Sequence, residues 1–167
     1  IYGKDSPESE ILELTVRGRG NSTYHTPKYG LKLEFTEKTS LLGMPKNRDW
    51  ALLSKYGDKT LIRDYMMTRL ANWLGAPFTP RMQFVEVYLN REYKGVFMLS
   101  ETIKFSKKRI NLAQNDSNFL FEKEDSKKVD DPFFETLDGN LIHIQEPKRV
   151  SEQNIQVSKA HLDSFET

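Results

Sequence analysis

Residues 17 to 22 read Arg17-Gly18-Arg19-Gly20-Asn21-Ser22, a Gly-x-Gly step followed by small polar side chains. Glycine has no Cβ, so a loop of this kind lets backbone N–H groups approach an anion closely, as kinase glycine loops approach phosphates. Asn21, Ser22 and Thr23 would add polar donors at its tip. The same residues also describe an ordinary connection between two strands, with the glycines serving turns. Lys32 follows in the next apolar-alternating segment, on the side away from Tyr29, Leu31 and Leu33. A strand lysine there is placed either to grip phosphates and pair with an acid on the following helix or to stand in solvent. No glutamate lies between Asp58 and Leu74, so the partner acid would be Asp58 or Asp64, with shorter reach. Lys28 reads as a surface residue of the loop. Arg63 is set to contact a phosphate or to form a surface pair. Glu101 ends a strand where the Ser100 to Ile103 backbone could meet a base, and its side chain reads equally as an exposed strand-end glutamate.

Other chemistries lack their residues. There is no cysteine, which removes disulfides, thiolate metal sites and thiol nucleophiles. His25, His143 and His161 are far apart in sequence, and no metal site is readable from their spacing. No Gly-x-Ser-x-Gly elbow supports serine hydrolysis. Lys104, Lys107, Lys108 and Arg109 surround Phe105, but one basic run on a chain of net charge +1 reads as a solvated loop, not a nucleic-acid surface. The Met66-Met67 pair reads as core filling.

The elements that must position these residues are legible in part. Leu12, Leu14 and Val16 alternate with Glu13, Thr15 and Arg17, and Leu31, Leu33 and Phe35 alternate with Lys32 and Glu34, so the two segments read as a hairpin around the glycine loop. Asp58 is a candidate N-cap for a helix reaching Leu74, with its apolar stripe through Ile62, Met66 and Leu70 packed on the sheet. Gly75 and Pro77 stop it. Val85–Leu89 and Gly95–Leu99 form a second hairpin about Asn90-Arg91-Glu92. Phe119–Glu122 and Leu141–Ile144 read as strands flanking a charged loop, and a further helix follows Ser151. The expected class is α+β, a mainly antiparallel sheet with one long packed helix. With 10 Phe, 7 Tyr and 2 Trp in 167 residues, the chain can bury a core as a single domain over 1–167. No apolar run approaches the roughly 20 residues of a membrane span. The chain opens at Ile1 and stops at Thr167 without a cap signal, so the expectation is a domain lacking a further C-terminal lobe, of which 147–167 would be the start.

Seven short segments, in order, carry a resemblance. They are Arg17–Ser22, Pro27–Lys32, Leu41–Pro45, Asp49–Leu53, Asp58–Arg63, Phe84–Asn90 and Tyr93–Glu101. Together they resemble the CotH (spore coat protein H) kinase family, best over residues 10–115. That resemblance implies a protein-kinase-like N-terminal lobe, ATP with Mg or Mn as cofactors in the full domain, and phosphoryl transfer to a protein. It implies a nucleotide-binding role for Gly18, Gly20, Asn21, Ser22, Lys32, Arg63 and Glu101, and a spore-coat, cell-envelope or secreted setting. The family's acidic metal motif and catalytic aspartate have no counterpart here, so the expectation is nucleotide binding without catalysis by this chain. The other reading is a non-catalytic coat or envelope module on the same fold.

Overall fold

The computed structural model describes residues 11–20, 22–113, 115, 118–124 and 132–166. It divides into two compact units, 1–103 and 104–167. The class is α+β with antiparallel sheets and two helices.

In the first unit, β1 (Leu14–Arg19) and β2 (Gly30–Thr39) pair antiparallel, as their alternation dictates, with Leu14 opposite Phe35 and Arg19 opposite Gly30. A single 3-10 turn, Ser22–His25, sits in their connection. β3 (Asn47–Leu53) then adds to β2, with Leu31 opposite Leu52 and Leu33 opposite Trp50. This strand has no clean alternation because Trp50, Ala51 and Leu52 are all buried. A strand covered on both faces reads as an apolar run rather than a period of two. The helix α1 (Arg63–Trp73) follows, and then β4 (Met82–Leu89) and β5 (Glu92–Glu101). Their tight turn places Asn90 and Arg91 at φ of 52° and 68°, the two left-handed residues of a hairpin whose twist matches its strands. The sheet order is β1-β2-β3-β5-β4. Leu33, Phe35, Leu41, Met44, Trp50, Leu52, Phe97 and Leu99 form its core.

α1 departs from expectation in length and orientation. It begins five residues after Asp58, with Ile62 at the N-cap position and no side-chain cap there. Asp58 still serves the helix start from outside: its Oδ2 accepts the Arg63 N–H at 3.1 Å, one of the donors a helix leaves unsatisfied. The Ile62, Met66, Leu70 stripe does not pack on the sheet. Met66 is 58% exposed, and no residue of the helix is buried. The face turned to the sheet is the neighbouring one, with Tyr65 against Phe84 (5.3 Å between centroids) and the Thr68 hydroxyl 3.9 Å from the Met82 sulfur. An ion pair between Asp64 and Lys55 holds the first turn in that rotation. Gly75, at φ +83°, ends the helix as expected.

In the second unit, β6 (Leu120–Glu124), β7 (Phe133–Glu135) and β8 (Leu141–Glu146) form a sheet in the order β6-β8-β7. β7 lies in the segment expected to be a charged loop. Its three residues are too few to show a period. The helix α2 (Glu152–Asp163) is capped by Ser151, whose hydroxyl accepts the Asn154 N–H at 3.2 Å. Phe134, Ile142 and Ile144 make the core, joined by Phe119, Phe121, Val150, Ile155 and Leu162. The basic run is not a solvated loop throughout, because Phe105 and Arg109 are buried.

Candidate functional site

One end of the first sheet gathers the chemistry. Arg19 lies opposite Gly30, Leu53 opposite Met98, and Met98 opposite Phe84. At this end the glycine loop leaves β1, Lys28 leads into β2, Lys55 follows β3, and α1 begins. Lys28 is not a surface residue: it is half-buried, its Nζ donates to the Val96 carbonyl at 2.6 Å, and it sits 4.4 Å from the Phe97 ring centroid. Burial holds its ammonium pKa below the ordinary lysine value.

Lys55 occupies the left-handed region at φ 50°, uncommon for a residue with a side chain and of a kind found at functional positions. Its Nζ pairs with the Asp64 carboxylate. Its pKa is lowered, chiefly by burial, with the Asp58 charge opposing and the Arg19 charge adding to the depression. Two cations, Arg19 at the end of β1 and Lys55 after β3, therefore sense each other here. Asp58 is held below the usual carboxylate range, first by the Thr60 hydroxyl and also by the backbone N–H groups of Arg63 and Thr60. Arg63 reaches Asp58 at 3.6 Å from an exposed position, a surface pair.

The glycine loop is folded on itself. A Cβ on Gly18 would lie 2.2 Å from the Tyr24 ring, and one on Gly20, at φ +119°, would lie 2.1 Å from the Thr23 hydroxyl. The space a side chain would need at Gly18 and Gly20 is thus filled by Tyr24 and Thr23. Tyr24 also packs on Tyr29, 5.2 Å between centroids. Ser22 opens the 3-10 turn, and Asn21 lies outside the described residues.

Lys32 points away from the apolar face, as expected, but meets no helix acid. Its Nζ lies 3.7 Å from Glu34 and 3.9 Å from Asp49, both strand neighbours. The pairing expected of it belongs instead to Lys55 and Asp64. Of the two acids named from the sequence, Asp64 carries it; the lysine was missed because nothing in the Leu53-Ser54-Lys55 pattern distinguishes it from a loop residue. Glu101 is not an exposed strand end. Its side chain is 0% exposed and accepts the Arg81 Nε–H at 2.9 Å and the Arg81 backbone N–H at 3.0 Å. It braces the end of β5 against the residue before β4. Leu53, Lys55, Leu61, Phe84 and Met98 line a dimple at the same end, packed too tightly to admit a water molecule.

These features define an α+β protein whose first unit presents an antiparallel sheet with Arg19, Lys28 and Lys55 gathered at one end. The family model described as CotH kinase protein matches residues 16–165, and the chain belongs to that family. The matched span passes well beyond the motif-bearing region and takes in both units. Among curated proteins, no sequence matches the chain. Among the described residues, no helix is long and apolar enough to cross a membrane, which says nothing of a β-barrel.

Proposed function

We propose that the first unit holds the phosphates of ATP between the glycine loop and Lys55, serving ATP-dependent phosphoryl transfer to a protein in the complete kinase domain. The observation that carries this reading is the Lys55–Asp64 ion pair at the end of β3 and the start of α1. Lys55 lies two residues past β3 and Asp64 in the first turn of α1, an arrangement similar to the strand lysine held by a helix acid with which protein kinases grip nucleotide phosphates. Electrostatics support it. Arg19 raises the cost of charging Lys55, and an anion between the two would relieve that cost, most strongly where water is thin.

The residues present fit phosphate better than they fit the base. The dimple beside Lys55 has no room for a purine, so adenine is not assigned to it. Asp58 and Asp64 are engaged by Thr60, Arg63 and Lys55, so the Mg or Mn that accompanies ATP has no ligand assigned at this end. When bound, that ion would neutralise the phosphates. The chain's own share is to position them with Lys55, Arg19 and the loop amides. In this reading Lys32, Arg63 and Glu101 do not touch the nucleotide. The setting proposed for the protein is the spore coat or cell envelope.

A second reading is a non-catalytic coat or envelope module. Tyr24 and Thr23, packed over Gly18 and Gly20, favour it, because they give the glycines a purpose that needs no ligand.

Calorimetric titration with ATP and three variants separates these readings. Without metal ligands the expected dissociation constant is on the order of 1 mM, about −4 kcal/mol. Lys55→Ala should weaken it about tenfold, the scale of one charge-assisted hydrogen bond, while Lys32→Ala and Lys107→Ala should change it little. All three remove one positive charge, so a general electrostatic effect would treat them alike. Loss confined to Lys32→Ala would move the site to mid-sheet. Absence of binding in the unaltered chain would favour the structural module.

A further inference from the structure

The second unit contains a convergence that the spacing of histidines along the chain does not reveal. In the β6–β8 ladder, Glu122 lies opposite His143, and Glu124 is two residues along β6 on the same face. One ligand atom from each of the three lies within 4.8 Å of the others. We propose that Glu122, Glu124 and His143 form a binding site for a first-row divalent metal ion of the Zn2+ or Mn2+ type.

Three observations support the assignment. First, the donors are mixed. An imidazole with two carboxylates suits Zn2+ or Mn2+, whereas Ca2+ takes an all-oxygen shell. Second, the two carboxylates are neighbours of like charge, yet among the described residues neither forms an ion pair with a lysine or arginine. Three glutamates elsewhere in the chain are matched, Glu34 with Arg17 and Lys32, Glu92 with Lys94, and Glu101 with Arg81. Carboxylates held together without a counter-charge repel, and a shared cation removes that repulsion. Glu124 and His143 are half-buried, which strengthens both the repulsion and its relief.

Third, the framework is suited to the geometry. His143 sits on the central strand of its sheet, with β6 on one side and β7 on the other, where Phe133 is its partner. Ligand atoms on one tetrahedral Zn2+, at about 2.0–2.2 Å from the ion, are about 3.4 Å apart. Closing from 4.8 Å to that spacing requires small side-chain rotations and no change of strand register. Three protein ligands would leave a coordination position open to water or a substrate group, the pattern of ions that do chemistry rather than only brace a fold.

The test uses the full chain freed of metal by a chelator and titrated with zinc chloride and, separately, manganese chloride. One ion should bind per chain, with a rise in melting temperature. Glu122→Gln, Glu124→Gln and His143→Gln should each raise the dissociation constant by about tenfold or more, while His161→Gln should not change it. Glu122 is exposed, so Glu122→Gln keeps the fold and answers the question even if His143→Gln disturbs it. Circular dichroism checks each variant. Absence of one-to-one binding of either ion would overturn the site, as would binding that survives both Glu122→Gln and His143→Gln. Binding of calcium in preference to zinc and manganese would overturn the assigned role of the imidazole.

Discussion

Gly18 is where two explanations of one residue can be separated. A methyl group there would strike the Tyr24 ring at 2.2 Å, so the ring must move if alanine is introduced. Gly18→Ala alone confounds loss of packing with loss of anion approach. The double variant Gly18→Ala with Tyr24→Ala removes the clash and leaves only the effect on backbone approach. ATP affinity measured by calorimetry should stay low in the double variant if the glycine serves phosphates. Recovery to the affinity of Tyr24→Ala alone would show that the glycine serves the tyrosine. The lysines carry a similar lesson. Lys28 and Lys55 are both desolvated, and neither stands out in the sequence, because part of their environment is built by residues of other elements, such as Asp64 for Lys55 and Val96 for Lys28.

At the level of elements, both hairpins were legible from apolar alternation and turn residues, an alternation that in β2 follows burial, with Leu33 and Phe35 buried and Glu34 exposed. β3 was visible only as a motif, since its central position buries consecutive residues. The position of α1 was legible, and its orientation was not. Its apolar stripe suggested one face, while the Lys55–Asp64 pair and the Asp58 carboxylate at Arg63 fix another. The end of α2 shows how such tertiary contacts set stability. Glu166 accepts hydrogen bonds from the Thr136 hydroxyl, the Asn140 side-chain amide and the Asp138 N–H, closing the turn between β7 and β8. Those bonds, the Asp138 N–H first, hold its pKa below the ordinary 4.5. A carboxylate depressed in the folded state contributes stability that is complete above its unfolded pKa and is lost as pH falls through the folded value. Glu166→Gln places an amide donor against the donors around it. It should therefore lower the melting temperature at pH 7, and the difference from the unaltered chain should shrink below pH 4.5. Thermal unfolding followed across pH 3 to 7 checks this, and a difference constant with pH would contradict it.

For the whole molecule, a net charge of +1 gives no long-range pull on ATP, so any affinity must come from local groups. The family and the α+β class were legible from ordered short segments and strand periodicity. The candidate sites were legible only in part, because each is completed by residues brought together across strands or between a strand and a helix. The central claim is that phosphates meet the Arg19–Lys55 end of the first sheet. Its most direct test is ATP titration of the isotopically labelled full chain, followed by backbone and lysine side-chain NMR shifts. The largest shifts should fall at Gly18, Arg19, Gly20 and Lys55, with Lys32 and Lys107 little moved. Shifts centred on Lys32, or confined to Lys104–Arg109, would contradict the claim.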